Sequence, residues 1–439
     1  MSFITKYLRR FGPQILLIHA LTIAHSSIAD TQAPYFPKNA FPSIDETSQE
    51  NQTEIGADDS LYKEIQGLGK EIQAGVKKVA KRRNMTCFGD PCILQGFPLM
   101  YSFPDSGFFG GVQANITNIS RSDPYTYSAN LRLVRSDTRQ WLIQSNIDIP
   151  EFKILGLKPR LKLRGAFFRS TEFEYSGQGQ RSKALAESER SLRRYSLEDL
   201  RGGFTTLIPI NLYKKAKFGT YFSYDYATLE TSNYSTSGSI LYDDQPFGYE
   251  GGTIRVIGVG LYYDARETEV LTRRGEMLEW GLRAGVEEKS KATSYRMTFV
   301  DRRYYSENRW TLAHRLTLDG IFGTAPFWIL SGVGGVDPIR DVSSSGILKG
   351  FPGGRFHEKI KVMESLELRL HQNDFAALGQ RGQLSLMLAA LDAAFFNELF
   401  AWSFGTGVDL FWNKSFLTRL YYSYGQDNWA IRLRFNQEF

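Results

Sequence analysis

The chain has 439 residues, 23 Tyr, 31 Phe and 40 Gly, a mean hydropathy of −0.32 and a formal net charge of +6. Length alone allows two or three soluble domains. Beyond the first 25 residues no apolar run reaches the ~18 residues a transmembrane helix needs, and the modest basic excess points to phosphate head groups of lipid and away from nucleic acid. Tyr and Phe favour strands and gather at membrane interfaces. The composition therefore suits either a large soluble β protein or a membrane barrel.

The N-terminus favours the barrel. Lys6, Arg9 and Arg10 form a basic segment, Ile15–Ile18 and Ala20–Ala24 a short apolar core, and Ser27-Ile28-Ala29 a small-residue cleavage site. Residues 1–29 read as a secretory signal; an uncleaved anchor is the alternative, opposed by the short run and His19. Residues 30 to about 57 are polar and Pro-punctuated, a linker. Asp58, Asp59 and Ser60 then offer helix-capping chemistry, and Leu61, Ile65, Leu68, Ile72, Val76 and Val79 follow at helical spacing. This predicts an amphipathic helix with Lys and Arg crowded at its C-terminal end, docked on the barrel or held at the membrane surface. Cys87 and Cys92 flank Phe-Gly-Asp-Pro. Two ligands do not make a zinc site. In an exported protein the pair reads as a small disulfide loop, with two free buried thiols as the alternative.

From Ser106 the period changes to two. Trp429, Ile431, Leu433, Phe435 and Phe439 share one face of the last strand, and Arg432, Arg434 and Glu438 share the other. Phe416, Leu420, Tyr422 and Tyr424 oppose Arg419, Tyr421 and Ser423, while Trp402, Phe404, Val408 and Leu410 oppose Ser403, Gly405 and Asp409. Aromatics outside with charges inside is the inverse of a soluble barrel, and closure leaves no unpaired backbone in lipid. At about 20 residues per strand and turn, residues 106–439 hold about 16 strands. One of them is a short segment at Phe327–Leu330. The predicted fold is all-β, a 16-stranded transmembrane barrel with a short N-terminal helical extension.

Four stretches carry a resemblance: Tyr263-Asp264-Ala265-Arg266 before Arg274-Gly275; Phe322-Gly323 before Pro326-Phe327; Leu348-Lys349-Gly350-Phe351 before Gly354-Arg355-Phe356; and Ala390-Leu391-Asp392-Ala393-Ala394. In order and spacing they resemble the bacterial surface antigen family, the barrel of the outer-membrane-protein-85 superfamily, which includes the insertase BamA and the two-partner secretion transporters. The resemblance implies that the sixth surface loop folds back into the lumen and pairs with an Asp on strand 13 near an acidic residue on strand 12. Strand 12 would be Ile360–Leu370, with Glu367 on the inward face beside Lys361, Ser365 and Arg369. The implied lock is Lys349, Gly350, Phe351, Arg355, Glu367 and Asp392, with Phe435 and Phe439 as the C-terminal strand signal. Two departures stand out. Lys349 replaces the family Arg, giving a point charge in place of a fork, and Ala390 and Ala394 replace Phe and Gly. Arg355 is the candidate for the missing fork; a solvated Lys349 is the plain alternative. The periplasmic repeat (POTRA) domains usual in the family have no matching pattern in residues 30–105, so the chain resembles a barrel-only member.

His314, His357 and His371 have no Ser or Cys partner at triad-like spacing, so no enzyme, cofactor or metal is expected. The resemblance implies a barrel of a Gram-negative-type outer membrane, its N-terminal extension in the periplasm. It would aid protein or lipid insertion or transport, through a weak seam beside a Gly-rich first strand at Gly107, Gly110 and Gly111. Its partners would be outer-membrane lipid and other outer-membrane or periplasmic proteins. A simple channel or a structural surface protein is the alternative.

Overall fold

The computed structural model describes most of residues 83–435, the exceptions within that range being short stretches of which 178–191 is the longest. The predicted signal, linker and helix, and Phe439, lie outside the described residues. Eighteen strands occur among the described residues: β1 (Arg83–Cys87), β2 (Asp90–Phe103), β3 (Gly107–Asn118), β4 (Tyr127–Ser136), β5 (Trp141–Ile149), β6 (Arg160–Glu174), β7 (Arg194–Pro209), β8 (Lys217–Ser232), β9 (Gly251–Asp264), β10 (Gly275–Glu287), β11 (Thr293–Glu307), β12 (Trp310–Gly323), β13 (Ile360–His371), β14 (Phe375–Ala377), β15 (Gln380–Phe396), β16 (Leu399–Trp412), β17 (Phe416–Gly425) and β18 (Trp429–Phe435). Two short helices join them, α1 (Ile240–Asp244) and α2 (Phe327–Leu330).

Every ladder is antiparallel and follows chain order. β13 and β14 both pair with β15, so they form one interrupted strand. β1 only extends the free edge of β2. With those two merged or set aside, sixteen strands make the sheet. The sheet curls until β18 comes beside β2, although no register joins these two among the described residues. β18 pairs with β17 over just seven positions, Thr418↔Phe435 to Tyr424↔Trp429, against twelve between β10 and β11. Among the described residues the closing edge is therefore joined by no register, and β18 is paired over fewer positions than β10.

The count of sixteen matches the expectation, but two placements do not. The sheet begins at Asp90, not near Ser106, and Phe327–Leu330 is a helix. The Gly-rich segment expected as the labile first strand is β3, paired with β2 and β4 on its two sides; β2 is the edge. Pro91 and Pro98 suit it to that position, since a proline cannot donate to a ladder.

Side chains alternate between an apolar outer face and a charged inner one. On β13 Lys361, Met363, Ser365, Glu367 and Arg369 are buried inward. On β16 and β17 Trp402, Phe404, Leu420, Tyr422 and Tyr424 are exposed outward while Ser403, Asp409, Arg419 and Ser423 are buried. An exposed apolar belt around a charged interior is the arrangement of a membrane-spanning barrel: lipid covers the belt and the ladders satisfy the backbone.

Candidate functional site: a loop clamped in the lumen

The lumen is occupied by the chain itself. The described residues of 324–359, between β12 and β13, run inside the sheet, and Phe327, Trp328, Leu330, Val342, Leu348 and Phe356 on this segment are almost wholly buried. A loop so long can bury itself only if its polar groups find partners. The backbone bridges Val333↔Ile339, and Leu348 N–H donates to Val342 O.

Two apolar anchors hold its ends. Phe327 and Trp328 pack with Tyr175, Tyr195, Leu197 and Leu229 on the β6–β8 side, Phe327 lying edge-on to Tyr175 at 5.2 Å. Val342, Ile347, Leu348, Phe351 and Phe356 pack with Met363, Ala394, Phe396 and Ala401 on the opposite wall, Phe356 stacking on Phe396 at 4.4 Å. A helix at Phe327–Leu330 lets this short run bury side chains on several sides at once, which a lipid-facing strand would not.

The ion cluster lies at the second anchor, on Lys349 between Leu348 and Phe351. Lys349 Nζ is 2.9 Å from Asp392 Oδ1 and 3.2 Å from Glu367 Oε1. The Lys349 backbone N–H donates to Asp392 Oδ2 at 3.1 Å. Ser365 and Ser403 hydroxyls donate to the same carboxylate at 2.8 and 3.0 Å. Glu367 also receives Arg369 at 2.5 Å and Arg419 at 2.9 Å, and Arg419 grips Asp409 with two nitrogens at 2.6 and 2.8 Å. Lys349, Arg369 and Arg419 thus balance Glu367, Asp392 and Asp409. All six are buried. Burial works against the Lys349 ammonium, but Asp392 and then Glu367 outweigh it and raise its pKa above the ordinary lysine value. A buried charge survives only when paired and hydrogen-bonded in this way.

The site residues read from the sequence fall as follows. Lys349, Glu367 and Asp392 meet in one cluster. Gly350 abuts β17: a Cβ there would lie 2.6 Å from Gly425 N. The Phe351 carbonyl accepts from Arg432 on β18, and the Lys349 carbonyl from Ser423 at 2.6 Å. Arg355 is buried with its guanidinium over the Phe356 ring at 5.1 Å; Glu367 is met instead by Arg369 through two nitrogens and by Arg419 through one. Cys92 is disulfide-bonded, and the chain has one other cysteine, Cys87, on the adjacent arm of the β1–β2 hairpin. Phe435 pairs with Thr418 at the end of β18.

Sequence reasoning missed the second half of the tether. Asp337 of the loop pairs with Lys162 on β6 at 2.6 Å, and Arg340 with Asp199 on β7 at 2.7 Å. Arg283 donates to Gly335 O at 2.6 Å while pairing with Asp225, which Arg164 also grips at 3.0 Å. These wall residues are visible as inward charges, but no motif names their loop partners.

No family model matches the chain, and neither does any curated protein. Among solved structures the chain is similar to BamA from Haemophilus ducreyi lacking POTRA domains 1–3, at 13% identity and a TM-score of 0.45, over 86% of this chain and 78% of that one. It is also similar to CdiB from Acinetobacter baumannii, at 12% and 0.45 over 81% and 64%, and to CdiB from Escherichia coli, at 10% and 0.46 over 83% and 69%. The functional reading rests on the clamped loop, not on these likenesses.

Proposed function

We propose that this chain is an assembly or translocation barrel of the bacterial surface antigen type, set in the outer membrane of a Gram-negative-type envelope with its N-terminal extension in the periplasm. It aids the insertion or passage of protein or lipid, with outer-membrane lipid and other outer-membrane or periplasmic proteins as its partners. The work is conformational and needs neither catalytic chemistry nor a cofactor. The observation that carries this reading is the Lys349–Glu367–Asp392 clamp. It fills the lumen with a removable element, and the same loop touches β17 and β18 beside the thinly paired edge. A plugged lumen next to a weak seam suits lateral release into a bilayer better than steady flow through a pore.

The test is reconstitution. The purified full chain in liposomes should speed folding of a urea-denatured outer-membrane barrel, read by gel mobility, or transfer of a fluorescent lipid between leaflets. Disulfide-tethering the luminal loop to the wall should abolish the gain. If neither rate exceeds that of protein-free liposomes, and the tethered and free proteins conduct ions alike, the simple-channel reading replaces this one.

A further inference from the structure

The free edge of β2 is partly taken by its own chain. β3 pairs with one edge of β2, from Ile93↔Thr117 to Phe103↔Gly107. β1 pairs with the other, from Arg83↔Leu94 to Cys87↔Asp90. That second edge is the one that faces β18 across the seam. β2 has 14 residues and β18 has 7, with no register between them among the described residues. The 5 residues of β1 thus lie on backbone groups that any strand added at the seam would use. Only Phe88 and Gly89 stand between the two arms, and so short a connection fixes the register of a hairpin.

The covered stretch, Asp90–Leu94, is the periplasmic end of β2. The longest connections between strands of the main sheet, 175–193, 233–250 and 324–359, all leave the opposite end, and in membrane barrels the long loops are external and the periplasmic turns short. An extended segment arriving from the periplasm therefore meets β1 first. A bare strand edge is a template for pairing with another chain. The cover over this one is weak but well tethered. A short two-stranded ribbon is marginal by itself. Cys92 is disulfide-bonded and Cys87 is the chain's other cysteine; Met85 opposes Cys92 and Cys87 opposes Asp90, so the bond crosses the hairpin diagonally and staples its arms.

We propose that β1 is an autoinhibitory cap, a strand of the chain itself that holds the periplasmic end of the β2 edge and must peel away before another strand can be added there. The cap regulates the seam of the assembly reading above and rests on that reading for its purpose. Its strength comes from tethering. A strand joined by a short link has an effective concentration of about 1 mM, so a free strand at about 10 µM loses to it by about a hundredfold, strand for strand. The luminal clamp and the cap act on different strands, Lys349 beside β17 and β1 beside β2.

The experiment uses the full chain in phosphatidylcholine nanodiscs, which leave both faces accessible. The probe is a synthetic peptide with the sequence of Trp429–Phe439, the chain's own strand for this edge, carrying a photoactivatable group in place of Phe435. Asn84→Pro with Thr86→Pro removes two ladder donors from β1 and leaves both cysteines. That variant should cross-link the peptide to β2, mapped by mass spectrometry, at least about tenfold more than the wild type. Folding is checked by heat-modifiable gel mobility; should the variant fail it, wild-type protein with its disulfide reduced applies the same test and should also label more than the oxidised form. Equal labelling of capped and uncapped protein overturns the proposal, as does labelling that maps away from β2. Labelling needs no assembly activity, so it reads the cap even if the liposome assay fails the assembly reading. Where the wild type is active in that assay, the proline variant should be faster. A variant that labels more but works no faster shows an edge cover without inhibition and overturns the proposal, leaving the assembly reading in place.

Discussion

Lys349 is the residue on which the clamp turns, because it is the loop's sole contribution to the described three-against-three cluster. Lys349→Glu changes that balance from neutral to −2, and removing one partner of a buried ion pair costs about 3–5 kcal/mol. The segment around Gly354 should become protease-sensitive, and conductance in planar bilayers should rise. Asp392→Lys in the same chain should restore part of the closed state; if single and double variants match the wild type in both readouts, Lys349 holds nothing. His357 makes a second, pH-dependent claim. It is buried between Tyr175 and Phe327 at 5.2 and 5.5 Å. Burial pushes its pKa down to about 4, helped by Lys361 and Arg355 and opposed by Asp341. A depressed histidine is neutral in the folded loop, while the released loop takes up the proton near pH 6.5. The stability it contributes is therefore intact above pH 6.5 and is lost as pH falls towards 4, by at most about 3 kcal/mol. Protease sensitivity of the loop should rise over that window, and His357→Phe should flatten the rise. An unchanged profile in the variant rules His357 out. At this scale the sequence was legible where a motif named a contact: Lys349, Glu367 and Asp392. It was silent where only a rotamer decides, as with Arg369 and Arg419, whose inward face was readable but whose contacts with Glu367 were not.

At the scale of elements, period two revealed strands with uniform faces and failed at the two that lack them. β2 carries Pro91, Gly96 and Pro98, and such punctuation reads as loop. Phe327-Trp328-Ile329-Leu330 is an unbroken apolar run, which periodicity cannot assign to helix or strand; its tertiary surroundings, buried in the loop, make it a turn of helix. The β1–β2 hairpin carries its own test. With Cys92 disulfide-bonded, thiol alkylation of the denatured chain should differ by two labels with and without reductant, matching its two cysteines. The closed loop is short, so reduction should cost about 2 kcal/mol or less and leave the main sheet folded. Equal labelling in the two conditions removes the bond.

At the scale of the molecule the luminal loop is a strap, and two of its fastenings lie on opposite walls. One is apolar, where Phe327 and Trp328 sit among Tyr175, Tyr195 and Leu229. The other is ionic, where Lys349 meets Glu367 and Asp392 on the far wall. They share no partner among the described contacts, so their free energies should add to within about 0.5 kcal/mol. Phe327→Ala should cost about 3–5 kcal/mol of loop docking, and protease protection should fall by the sum of the two effects in the double variant with Lys349→Glu. Conductance should behave differently. A strap released at one end still lies across the lumen, so each single variant should open the barrel only in part. The double variant should reach a conductance above the sum of the two increments, since both ends must leave before the lumen clears. The contacts to the closing edge sharpen the distinction. Gly350 against Gly425, Ser423 to the Lys349 carbonyl, and Arg432 to the Phe351 carbonyl all lie at the ionic end. Hydrogen exchange of β17 and β18 should therefore quicken in Lys349→Glu and stay unchanged in Phe327→Ala. Equal exchange in the two variants, or a conductance in the double variant no greater than the larger single one, would mean that the strap moves as one rigid body and that its ionic end has no special hold on the seam.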